Sequence, residues 1–181
     1  MQYPPMSLYV HIPWCEKKCP YCDFNSYASS NIPEQDYLDC LIADLQIEAE
    51  SVQARELRSI FIGGGTPSLF SAKSLARLLQ TVAKKFHFNK DIEVTLEVNP
   101  ASADQRKFLD FFHAGINRLS IGVQSFNDSS LRDLGRIHTG IDGVSAIKLA
   151  QTAGFSNINI DLMYGLPNQS EEEAVSDLNE A

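Results

Sequence analysis

The sequence contains no apolar run near the roughly 18–20 residues needed to span a bilayer. Its opening stretch, MQYPPMSLYVHIP, lacks the basic segment and apolar core of a secretory signal. Basic charge is scarce, with 15 Lys and Arg against 23 Asp and Glu, a formal net charge of −8. That sign disfavours nucleic acid and anionic membranes as partners. The acidic residues are spread along helical stretches rather than gathered in a tail, so they describe a solvated surface. There is no internal repeat, linker or low-complexity segment. A chain of 181 residues, 44% hydrophobic and 21% charged, therefore suits one globular domain. Cysteine is sparse as well, with four in the chain. Three of them crowd between Cys15 and Cys22, which in a chain without a leader favours reduced thiols, metal binding and a cytoplasmic location over disulfides.

What is present is an alternation of short apolar runs and helical patterns. The runs Ser7–Ile12, Ser59–Ile62, Ile92–Val98, Arg118–Val123 and Asn157–Met163 are β-branched and largely apolar, as in parallel strands buried on both faces. Between them, Pro33 fits a first helical turn ahead of the stripe Leu38, Leu41, Ile42, Leu45 and Ala49. Cys40 falls in that helix and reads as a small core residue. Ser71 caps a second helix, and Ser102 opens a third with Phe108, Leu109 and Phe112 as its apolar face. Asn127 begins a short fourth helix ending at Gly135, and a fifth runs from about Ile141 to Ala153. Ser170-Glu-Glu-Glu173 has the form of a capping box for a sixth. The result is about five βα units, an α/β chain with a parallel sheet wound as a partial barrel. Five strands do not close an eight-stranded barrel, so residues 1–181 read as the amino-terminal core of a longer protein.

Chemistry in such folds sits at the carboxyl ends of the strands. Unusual residues fall at all five. The cysteine loop follows the first strand and Gly63-Gly-Gly-Thr-Pro-Ser68 the second. Glu97 with Asn99-Pro100 ends the third, Gln124-Ser125 the fourth, and Asp161 with Gly165-Leu-Pro167 the fifth. One shared site follows from that coincidence. Cys15, Cys19 and Cys22 are spaced Cys-x3-Cys-x2-Cys. A zinc knot would draw a fourth ligand from Cys40 or His11, but no second Cys pair recurs downstream. Three thiolates on an iron–sulfur cluster, with one iron left open, account for the spacing better. The glycine run lacks the Gly-Lys-Ser/Thr ending of a phosphate loop, so it is either a tight turn or a backbone cradle. Glu97, Gln124 and Asp161 are either structural partners of Arg118 or Arg136, or acceptors for ribose hydroxyls and an amino group. Arg136 offers a fork for a carboxylate. Among Tyr9, Trp14, Tyr21 and Phe24, some belong to the core and one can lie against an adenine. His138 is a further candidate beside Arg136, whereas His87 and His113 read as bystanders.

HIPWCEKKCPYCDFN, IFIGGGTPS, EVNP, LSIGVQSF, LGRIH and DLMYGLPNQ together resemble the radical S-adenosylmethionine superfamily. Within it they resemble the group of oxygen-independent coproporphyrinogen III oxidases and HemW-type heme chaperones. The resemblance runs over essentially the whole chain. It implies a 4Fe–4S cluster on Cys15, Cys19 and Cys22, with S-adenosylmethionine chelating the open iron. It places Tyr9, Tyr21 and Phe24 beside the cofactor and Gly64, Gly65 and Thr66 along its methionine end. Glu97, Gln124, Arg136 and Asp161 are implied contacts of the cofactor or of a second copy of it. In the family the reduced cluster cleaves the sulfonium to a 5′-deoxyadenosyl radical. The oxidases resemble Cys-x3-Cys-x2-Cys-x-Cys and carry an arm before the first strand. Here Phe24 holds the last Cys position and only about six residues precede that strand. Both departures favour the heme-chaperone branch over radical decarboxylation. The branch implies heme or porphyrin as cargo, heme-acceptor proteins and a reductant such as flavodoxin or ferredoxin as partners. It places the heme ligand in a carboxyl-terminal part that this sequence does not include.

Overall fold

Parallel strand pairing organises the chain, as seen in a computed structural model that describes residues 4–52 and 55–181. The first three residues of the opening stretch read above lie outside the described residues. Strands β1 (Met6–Ile12), β4 (Leu57–Gly64), β5 (Phe88–Val98), β6 (Arg118–Gln124) and β7 (Ile158–Leu162) pair in that order, all parallel. The crossovers are α1 (Glu34–Ser51), α2 (Ala72–Lys85), α3 (Gln105–His113) and the pair α4 (Asp128–Asp133) and α5 (Gly140–Thr152), and α6 (Glu171–Glu180) follows the last strand. The five βα units and the extra helix before the fifth strand are those the periodicity predicts. A second, two-stranded parallel pair, β2 (Trp14–Cys15) with β3 (Tyr27–Ala28), frames the cysteine loop and has no counterpart in the sequence reading.

The two faces of the sheet differ in kind. Val10, Ile12, Ile60, Ile62, Val94, Leu96, Leu119, Ile121 and Val123 point one way into a continuous apolar core. Phe108, Phe111, Leu75, Leu79, Val82 and Ala146 from the helices meet them there. Each such fully buried large side chain contributes about 1.5–3 kcal/mol of transfer free energy, so this face holds the domain together. The alternate residues make an inner face that is polar. Arg118 Nη1 donates to Thr95 Oγ1 at 3.2 Å, Ser120 Oγ to Asp161 Oδ1 at 3.2 Å, and Asn159 Nδ2 to Asp161 Oδ1 at 2.7 Å. Strands apolar on both faces were expected, and only the helix-covered face is so. Among the described residues no helix covers the inner face, which carries hydrogen-bonded polar groups beside the Tyr9–Phe61 pair.

Capping explains where the helices begin. Ser71 accepts from Ser74 N at 3.2 Å, Asn127 accepts from Ser129 N at 2.8 Å, and Ser170 with Glu173 closes a capping box, all as predicted. Helix α3 starts later than expected. Asp104 is its cap, accepting from Lys107 N at 2.9 Å, while Ser102 donates instead to Asn99 O in a preceding 3-10 turn. The stripe shifts accordingly, burying Phe108 and Phe111 and leaving Leu109 and Phe112 partly exposed. Thr139 starts α5 one residue early through a capping box with Asp142. Cys40 is exposed on α1, not a core residue, because it lies off the line of Leu38 and Leu45 that faces the sheet.

Candidate functional site

Loop closure builds the cysteine site. Tyr27 N donates to Pro13 O at 2.7 Å and Ser29 N to Cys15 O at 3.1 Å, tying both ends of the loop. Cys22 N donates to Cys19 O at 3.1 Å, turning the chain between two of the thiols. His11 braces the loop from β1. Its Nε2 donates to Asn25 O at 2.8 Å, and its Nδ1 hydrogen-bonds the Tyr9 hydroxyl at 2.9 Å. Lys18 Nζ reaches back to Phe24 O at 3.0 Å and Ser26 O at 3.1 Å. The glycine run crosses directly beneath. Gly65 N bonds Ile12 O at 2.8 Å and Thr66 N bonds Trp14 O at 2.7 Å. A Cβ on Gly65 would lie 2.5 Å from Trp14 O and 3.0 Å from Cys15 Sγ, so the close approach requires glycine there.

Above this floor opens a cleft of about 440 Å³ at the carboxyl ends of the strands. Cys15, Cys19 and Cys22 line one wall with Tyr21 and Phe24. Gly64, Gly65 and Thr66 also line it, as do Glu97, Gln124 and Asp161 at the strand ends, and Arg136, which reaches the thiol wall at Cys19. Glu97 accepts from Gly64 N at 3.0 Å. Desolvation pushes its carboxyl above the usual range, and the Asp161 charge adds to that against the pull of the Gly64 N–H. Asp161 is also raised by desolvation, opposed by its bonds from Ser120 and Asn159. Two partly desolvated carboxyls sharing a cleft favour a ligand that brings hydroxyl donors or positive charge. Gln124 stands at φ +70 as the strand breaks, with its carbonyl accepting from Met163 N at 2.8 Å. Arg136 Nη2 donates to Gly122 O at 2.7 Å and Nη1 approaches Cys19 Sγ at 3.7 Å.

The three cysteines and the residues implied to contact the cofactor meet in this cleft, except Tyr9, and the further candidates Trp14 and His138 lie outside its lining. Tyr9 lies off its lining, lower on the inner face, stacked on Phe61 at 6.2 Å between centroids. Trp14 packs edge-on against Tyr37 at 4.6 Å and belongs to the core. His138 is buried beside the cleft with Nε2 on Val123 O at 2.9 Å, and desolvation lowers its pKa. Asn99, named with Glu97 at the end of the third strand, lines the cleft, and Ser120, Gly122 and Met163 line it without having been singled out. Their signal in the sequence was strand alternation, which places 120, 122 and 124 on one face. A larger cavity of about 660 Å³ lies between α5 and α6, but no thiol or strand-end acceptor reaches it.

Among the described residues, no group of three or more His, Cys, Asp or Glu side chains is gathered to hold one metal ion. A multi-iron cluster presents separate metals to its thiolates, whereas zinc needs its ligands on one atom. Three thiols spread along the wall of a cleft with a glycine cradle beneath Cys15 fit the former.

The chain is similar to known proteins. The heme chaperone HemW of Haemophilus influenzae is 55% identical over 98% of the chain, and that of Escherichia coli 48% identical over 100% of it. The chain spans about half of their length, 48% of each. The solved structure of coproporphyrinogen III oxidase (HemN) from Escherichia coli, a radical SAM enzyme, superposes on 97% of the chain with a TM-score of 0.86 at 34% identity, using 41% of its own length. The profile of the Radical SAM superfamily matches residues 9–181, and the chain belongs to that family.

Proposed function

We propose that the chain is the radical S-adenosylmethionine core of a HemW-like heme chaperone, and that the full-length protein transfers heme to acceptor proteins. The observation that carries the reading is the single cleft in which three thiols face the glycine run and the strand-end acceptors. Cys15, Cys19 and Cys22 would hold a 4Fe–4S cluster. Gly64, Gly65, Thr66, Glu97, Gln124, Arg136 and Asp161 would hold S-adenosylmethionine, with Tyr21 and Phe24 at the rim. When bound, the cluster supplies one-electron reducing power and an open iron for the cofactor. The chain's own part is positional. The Gly64–Thr66 backbone, held by its own hydrogen bonds to Glu97, Ile12 O and Trp14 O, would give a ligand a fixed floor, and Glu97 and Asp161 would accept from hydroxyl or ammonium groups. Heme determinants are assigned to the part of the full-length protein beyond these residues.

Two relatives near half identity bear the name heme chaperone, and Phe24 stands where the oxidases have a further cysteine. The second reading, an oxygen-independent coproporphyrinogen III dehydrogenase, draws on the likeness to HemN. A zinc knot is disfavoured because both His11 nitrogens are engaged and Cys40 is exposed on α1. The deciding experiment uses anaerobically reconstituted full-length protein with S-adenosylmethionine and reductant. Heme binding and transfer without turnover of coproporphyrinogen supports the chaperone reading. Formation of decarboxylated product overturns it in favour of the dehydrogenase.

A further inference from the structure

Arg136 does not point its fork freely into the cleft. One arm is tethered, Nη2 to Gly122 O at 2.7 Å, and the other lies against a thiol, Nη1 to Cys19 Sγ at 3.7 Å. Its backbone is also held, since Arg136 N donates to Leu131 O at 2.9 Å at the end of α4. The preceding Gly135 stands at φ +71, and a Cβ there would lie 2.7 Å from Pro20 Cδ. The turn that carries Arg136 is therefore pressed on the backbone that carries Cys19. Its Nε is buried without a hydrogen-bond partner, while the side chain as a whole is half-buried along the cleft. Tyr21 sits at the same junction, interacting with both Cys19 and Arg136. A fork meant only for a bound carboxylate has no need of this sulfur contact.

We infer that Arg136 is a positioning residue that acts through Cys19, donating a guanidinium N–H to that thiolate and raising the reduction potential of the cluster it holds. The inference rests on the cluster reading above. Reduction adds one electron to the cluster and its thiolates, making the assembly more negative. An adjacent cation and a hydrogen bond to a ligand sulfur stabilise that reduced form over the oxidised one. Partial burial weakens salt screening of the contact. A residue that only gripped the carboxylate of S-adenosylmethionine would act on the empty site through its charge alone, which Lys retains. A residue donating to Cys19 alters the potential even when that charge is kept.

The test is a redox titration followed by electron paramagnetic resonance on anaerobically reconstituted full-length protein, without S-adenosylmethionine. Iron and sulfide content is measured in parallel. Arg136→Met is expected to keep its cluster and to show a reduced-to-oxidised ratio lowered about tenfold at a fixed potential, equivalent to about 59 mV for a one-electron couple. Arg136→Lys keeps the charge but cannot span Gly122 O and Cys19 Sγ together, so it should fall between. If Arg136→Met loads poorly, Arg136→Lys carries the test. A wild-type potential in either fully loaded variant overturns the inference while leaving the cluster reading intact. Failure of the wild-type protein to assemble any cluster overturns both.

Discussion

Replacing Asp177 by Ala should loosen the site from a distance. Asp177 is a buried carboxylate on α6, 6% exposed, and it belongs to no predicted motif. It accepts from Ser125 Oγ at 2.7 Å and from Phe126 N at 2.8 Å, across 52 and 51 residues of sequence. Those two groups follow Gln124, whose φ of +70 the strand end must sustain. Removing the carboxylate strands a fully buried hydroxyl and a partly buried amide. Each orphaned donor costs about 1–3 kcal/mol. Ser125 Oγ still accepts from Asn127 N at 3.0 Å, which keeps that hydroxyl oriented but does not satisfy its proton. A total of about 3 kcal/mol is reasonable, or roughly 6–12 °C in midpoint for a domain of this size. Asp177→Asn retains one acceptor and should lose about half as much. Urea unfolding should show a lower midpoint with an unchanged slope, and hydrogen exchange should show faster exchange at Phe126. An Asp177→Ala protein within about 0.5 kcal/mol of wild type, the range of an ordinary surface substitution, would refute the reasoning.

Other perturbations test the site more directly. Glu97 titrates above the usual carboxylate range when folded, so the folded state binds more protons than the unfolded state across that interval. Its contribution therefore makes stability fall as pH rises from the ordinary Glu value through the raised one. Glu97→Gln keeps an acceptor for Gly64 N and should flatten that decline in unfolding measured between about pH 4 and pH 7. An unchanged pH slope counts against the assignment. Gly65→Ala places a Cβ against the Trp14 carbonyl and Cys15 Sγ. It should destabilise by about 1–3 kcal/mol and lower iron incorporation, whereas normal loading would show that the approach is not required. Cys19→Ala should abolish iron and sulfide binding and Cys40→Ala should not, since Cys40 is exposed on α1 away from the cleft. Equal loading of the two variants excludes the three-thiol site.

Much of this was legible because the informative signals are local. The Cys-x3-Cys-x2-Cys spacing, the glycine run and the polar residues ending each strand occupy short windows, and a parallel α/β order gathers strand ends on one side. Helix starts were legible where a cap has one candidate, as at Ser71, Asn127 and Ser170. Ser102 was read as the start of the third helix, and only the fold shows Asp104 accepting from Lys107 N two residues later. The polar inner face escaped the reading because Thr95, Ser120 and Asn159 are short and β-compatible. They look like ordinary strand residues until their partners on neighbouring strands are known.

By itself the sequence determined the succession of βα units, the spacing of the three cysteines and the end of the sheet at which the unusual polar residues gather. These follow from periodicity and from spacing within a few residues. Tertiary structure alone decided that His11 braces the cysteine loop, that Asp177 holds the turn after Gln124, and that Arg136 meets Cys19 across 117 residues. Hydrogen bonds at such separations depend on how crossovers bring side chains together in space, and no local pattern encodes that meeting.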